Sequence, residues 1–138
     1  MEFKKIHLYG SDIEDYEVLS SLIQDAAIPT SEMKFDKIEK KFFLVCSRFS
    51  WESKLQNKGN KRIVTGICFD NVIRVKKKNF PSFDSENILN FLTLKKVSGF
   101  IELIFSNNIL IKLVGNNISF RIDDLNKEWP TIFSPNHN

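Results

Sequence analysis

The stretch RFSWE, Arg48 to Glu52, sets a guanidinium, an indole and a carboxylate within one short run. Arginine and tryptophan are enriched where interfaces carry most of their binding energy. Arg48, Trp51 and Glu52 are therefore candidates for the rim of a binding surface. A second carboxylate, Glu102, interrupts the apolar run FIELIF. An acid–base cleft would need Arg48, Glu52 and Glu102 to converge. The residue types for other chemistry are scarce. His7, His137, Cys46 and Cys68 show none of the short spacings of a zinc site. A nucleophile would have to recruit its base from two histidines. The five glycines form neither a P-loop nor a dinucleotide fingerprint. The reading is a protein with no catalytic residues, no metal and no cofactor, hence not an enzyme.

The elements that would position these residues follow from periodicity. Lys41 to Trp51 reads as one long strand. Side chains alternate on a strand, so Phe43, Val45, Ser47, Phe49 and Trp51 share one face, and Phe42, Leu44, Cys46, Arg48, Ser50 and Glu52 the other. Arg48 and Glu52 would then stand about 13 Å apart along a straight strand and could not pair. The structural alternative lays the Arg48 stem along the sheet and bonds its head to a neighbouring element.

Upstream, Ser11 and Glu14 match a capping box, and Tyr16, Leu19, Leu22, Ile23 and Ala26 recur at helical spacing. This predicts a long helix that Pro29 ends. The early acids then serve the helix N-terminus. Residues 3–9 and 34–38 read as short strands. KRIVTGICFDNVIRVKKK (61–78) reads as a hairpin turning at Asp70-Asn71, and ILNFLTLKKV (88–97) as a strand. IELIFSNNILIKL reads as a hairpin turning at Asn107-Asn108, which would set residue 102 opposite 113 and send Lys112 to the face away from Glu102. Glu102 then lies at a sheet margin or pairs with a cation such as Arg48. NISFRI is a last strand, and Asp123 would cap a short helix, DDLNKEW, that stops at Pro130. The fold class is α+β in a single globular domain, residues 1–138. It comprises a mainly antiparallel, strongly curved sheet or small barrel-like sandwich of about eight strands, one long N-terminal helix and a short C-terminal helix.

Charge is laid out unevenly. Residues 1–30 hold 2 Lys against 6 acids, residues 31–80 hold 13 Lys and Arg against 5 acids, and residues 81–138 hold 5 against 6. The middle is thus net +8 between acidic flanks. Lys54, Lys58, Lys61, Arg62, Arg74, Lys76, Lys77 and Lys78 surround the expected 61–78 hairpin, with Trp51 and Phe80 close in sequence. Such a surface suits an acidic protein or nucleic-acid phosphates. It also suits a lysine-guarded sheet edge. No apolar run approaches the roughly 18 residues of a membrane span. The start, MEFKKIHLYGSD, lacks the apolar core of a signal peptide. A reduced cytoplasmic protein without membrane contact is expected, with its cysteines as buried structural residues.

The pieces DIEDYEVLSSLIQDA, RFSWE, RIVTGICFDNVIRV, IELIFSNNILIKL and DDLNKEWPTIFSPNH, in this order, span nearly the whole chain. They resemble the domain of unknown function 2948 family, found mainly in alphaproteobacteria. The resemblance implies a stand-alone bacterial cytosolic protein and brings no activity, cofactor or site residue. The first expectation is a non-enzymatic protein-binding or adaptor module using the basic 54–78 region beside Trp51. The second is an RNA- or ribosome-associated factor using the same cations. An enzyme comes last.

Overall fold

The computed structural model describes residues 6–49, 62–81 and 87–125. In chain order the elements are β1 (His7–Gly10), α1 (Ile13–Leu22), β2 (Ala27–Pro29), a 3₁₀ turn (Thr30–Glu32), β3 (Met33–Asp36), β4 (Lys41–Phe49), β5 (Arg62–Asp70), β6 (Arg74–Lys78), β7 (Ile88–Val97), β8 (Phe100–Phe105), β9 (Leu110–Val114) and β10 (Ser119–Asp124). All strand pairings are antiparallel. The strands form one path, β1-β10-β5-β4-β2-β7-β8-β9-β6, with β3 attached to β4. The path is open, ending at β1 and β6. The expected antiparallel α+β class holds, with ten strands where about eight were expected and one α-helix among the described residues.

The core follows strand alternation. Across β4, β5 and β10, Phe42, Phe69 and Phe120 form one inward row, and Leu44, Ile67 and Ile122 the next. All six are at most 2% exposed. Ile101, Leu103 and Phe105 of β8 and Ile111 and Leu113 of β9 supply the other half of the same apolar cluster, and Tyr16, Leu19 and Ile23 pack α1 onto it. Each buried large apolar side chain contributes roughly 1.5–3 kcal/mol.

The helix is shorter than predicted and starts one residue later. Asp12 is the N-cap, and Asp12 and Asp15 form the capping box, in place of Ser11 and Glu14. Asp25 turns the chain with φ +64°, a conformation Asp tolerates, and the Ala26 N–H bonds the Ile23 carbonyl. Residues 27–29 are thereby released to bridge β4 and β7 as β2, burying Ile28 completely.

The predicted 61–78 hairpin does not form. Both edges of β5 are already taken by β4 and β10, so β6 pairs with β9 instead. Asn71, at φ +70°, turns the chain out of β5; the Val72 N–H then bonds the Lys40 carbonyl and that of Ile73 the Val114 carbonyl. Gly115 permits this crossing, because a Cβ there would lie 2.0 Å from the Asn71 carbonyl oxygen. Asp123 caps no helix: it lies within β10, paired with His7 and Gly66. The rest of the predicted C-terminal helix, from residue 126 to 129, lies outside the described residues.

The β8–β9 hairpin turns at Asn107-Asn108 as predicted, both at positive φ, but its register is offset by one. The Phe105 N–H bonds the Ile109 carbonyl while the Ile109 N–H bonds the Ser106 carbonyl, so two residues of one arm face one of the other. This bulge puts Ile101, Leu103 and Phe105 on the same face as Ile109, Ile111 and Leu113. The offset-free register would have mixed Lys112 into that apolar face.

Candidate functional site

Arg48 is not on a rim. It continues the inward row of Phe42, Leu44 and Cys46, and it is 0% exposed. Its Nε donates to Asp124 Oδ1 at 3.1 Å and its Nη2 to Oδ2 at 2.8 Å. Its Nη1 donates to the Phe49 carbonyl at 3.0 Å. The Thr65 hydroxyl donates to Asp124 Oδ1 at 2.7 Å, and the Ile6 N–H to Oδ2 at 2.8 Å. Both carboxylate oxygens thus accept two bonds each. Cys46, Thr65 and Asp124 form the row after Leu44, Ile67 and Ile122, so this polar knot closes one end of the core. Desolvating two charges is costly unless the geometry is bidentate and further hydrogen bonds reach the carboxylate, as the Thr65 hydroxyl and the Ile6 N–H do here.

Sequence reasoning missed Asp124, having assigned it to a helix start. The signal was present: Phe120, Ile122 and Asp124 keep period two. Glu102 is not the partner of Arg48. It is half-buried on the face of β8 opposite the core, directly across from Lys112 on β9 and Lys95 on β7. The convergence an acid–base cleft requires is therefore absent for Arg48 and Glu102, and Glu52 lies outside the described residues.

The remaining candidates divide. Trp51, Lys54, Lys58 and Lys61 lie outside the described residues. Arg62, at the start of β5, donates to the Ser47 carbonyl at 2.8 Å and sits 4.5 Å above the Phe49 ring. Arg74, Lys76, Lys77 and Lys78 are exposed on β6, at the far end of the strand path from β5. Arg62 and the β6 cations therefore belong to different strand edges. Alternation splits the β6 group further. Lys77 lies opposite Ile111, on the core-side face, with its ammonium 4.5 Å from the Phe80 ring.

Arg74, Lys76 and Lys78 point outward and join a larger surface. Pair partners across β6, β9, β8 and β7 run Lys76–Lys112–Glu102–Lys95. The flanking rows run Arg74–Val114–Phe100–Val97 and Lys78–Leu110–Ile104–Thr93. The outer face therefore carries five cations and one carboxylate among half-exposed apolar side chains. Lys112 covers the Phe100 ring at 4.1 Å.

No group of three or more metal-ligating side chains occurs among the described residues. Burial pushes the Cys46 thiol up to about 12. Burial also raises Cys68, against the opposing hydrogen bond from Arg121. Neither is poised as a thiolate nucleophile. His7 is exposed on β1 with its Nδ1 against Asp123. No described helix is long and apolar enough to cross a membrane.

These features define a small antiparallel α+β domain with an internally satisfied ion pair and a cationic outer sheet face. The chain belongs to the family described as protein of unknown function (DUF2948), whose pattern matches residues 6–137. No curated protein and no solved structure matches the chain.

Proposed function

We propose that this protein is a non-enzymatic binding module for a protein partner, and that the outer face of β7, β8, β9 and β6 is its contact surface. The observation that carries the reading is the Lys76–Lys112–Glu102–Lys95 row set between half-exposed Phe100, Ile104, Leu110 and Val114. Cations steer an acidic partner onto the sheet and fix its register. The apolar rows, desolvated on docking, hold it there. A reducing cytosol suits the reading, since Cys46 and Cys68 are both buried and unpaired.

The Lys112–Phe100 stack favours one second reading, an RNA-associated factor, because cations beside an aromatic ring serve phosphates and bases alike. Salt separates the two. Affinity capture from the cells that make the protein, with and without nuclease and over a salt series, tests the proposal. A stoichiometric protein retained after nuclease and at raised salt supports it. Ribosomal proteins lost on nuclease, with binding that falls steeply with salt, would replace it by the RNA reading.

A further inference from the structure

β7 changes its neighbours halfway along. Residues 88–90 pair with β2, but β2 stops there, and among the described residues, positions 92–97 have a strand neighbour only in β8. The direction of the free backbone groups follows from the ladder. The Phe105 N–H bonds β9 at Ile109, and the Ser106 N–H bonds β7 at Asn90. Alternation then aims Ile104 and Glu102 at β7, and their partners Thr93 and Lys95 back at β8. Leu94 and Lys96 therefore turn their N–H and C=O groups to the other side, where no described residue pairs with them.

That side is not open solvent. α1 stands across from it and leaves a groove of about 600 Å³. Ile13, Glu17 and Ser20 line the helix wall, and Leu94, Lys96 and Val97 the strand wall. Ile13 and Val97 are 61% and 46% exposed, so apolar surface waits at the mouth. Lys95 and Lys96 bring two cations against the single carboxylate of Glu17.

We infer that this groove binds an extended peptide segment of a partner, added as a further strand along the free edge of β7. Leu94 and Lys96 supply main-chain donors and acceptors. An apolar side chain of the peptide meets Ile13, Leu94 and Val97, and a carboxylate on a neighbouring position meets Lys95 or Lys96. Strand addition takes affinity from the backbone and specificity from alternate side chains. The six residues from Leu92 to Val97 offer roughly 20 Å of edge. Lys95 also belongs to the outer-face row, whereas the edge groups of Leu94 and Lys96 do not.

The probe is a displayed library of short random peptides selected on the purified full chain, with binders then synthesised and titrated by amide NMR. The expected result is a set of peptides pairing an acidic with an apolar residue, shifting the Leu94 and Lys96 amides and slowing their hydrogen exchange. Lys96→Pro removes one edge N–H at a position where a proline spares the β7–β8 ladder. It should weaken binding by about tenfold or more, on the order of 1.4 kcal/mol. Ser20→Phe, which fills the groove and keeps the edge, should do the same, and Lys76→Glu on the outer face should leave peptide binding unchanged. Peptides that bind Lys96→Pro and Ser20→Phe as they bind the parent would overturn the inference, as would a selection that enriches none. Leu94 and Lys96 amides that shift with protein concentration alone would assign the edge to a second copy of the chain.

Discussion

Arg48 and Asp124 are 76 positions apart in the chain and meet through two hydrogen bonds, with both side chains fully shielded from water. The contact ties β4 to β10 across the intervening β5, whose Thr65 donates into the same carboxylate. An arginine that looks like an interface anchor in the sequence is thus consumed in holding the sheet.

Removing one partner leaves a buried charge alone. Asp124→Ala should lower the unfolding free energy by about 3–5 kcal/mol, read from the urea midpoint at constant slope. Replacing both partners, Arg48→Met with Asp124→Leu, should lie much closer to the parent, because well-packed apolar groups need no compensation. A double variant as unstable as the single one would mean that the pair contributes more than its own satisfaction.

The helix cap makes stability depend on acid pH. Backbone N–H groups of Ser11 and Asp12 bond the Asp15 carboxylate and hold its pKa below the ordinary value of 3.8. A depressed folded-state value contributes stability that is fully present above the unfolded pKa and is lost as pH falls through the folded one. Asp15→Asn should therefore flatten the dependence of melting temperature on pH below about 4 and leave it parallel to the parent at neutral pH.

Much of this architecture is legible in local pattern, and its limits are equally physical. The strand at 88–97 and the turn at Asn107-Asn108 follow from alternation and from asparagine's tolerance of positive φ. Partner choice is not local. Residues 62–70 and 74–78 look like a hairpin, yet β5 is claimed on both edges by β4 and β10, strands separated from it along the chain. Likewise Asp123-Asp124 resemble a helix start, and only the pairing with His7, Gly66 and Thr65 shows them to be strand. The basic cluster divided for the same reason: Arg62 and Lys76 follow one another closely in sequence but occupy strands at different places in the sheet.

The cysteines should be slow to react. With the Cys46 thiol near 12 and fully buried, iodoacetamide at mildly alkaline pH should modify it only after urea unfolding, with Cys68 reacting first in the native protein. A raised thiol value contributes stability that is present below the unfolded pKa, about 8.5, and is lost as pH climbs toward the folded value. Cys46→Ala should remove that alkaline component. Rapid native alkylation of Cys46, measured by peptide mass spectrometry, would mean that the core opens there.

The proposed contact surface and the buried pair can be separated by mutation. The most direct measurement is quantitative affinity capture, after nuclease, with three versions of the full chain: the parent, Lys76→Glu with Lys112→Glu, and Arg48→Met with Asp124→Leu, each shown to be folded by its melting curve. The parent and the Arg48/Asp124 double variant should retain the same protein partner, and the Lys76/Lys112 double variant should lose it. A folded Arg48/Asp124 variant that loses the partner while the Lys76/Lys112 variant keeps it would mean that the outer face is not the contact surface.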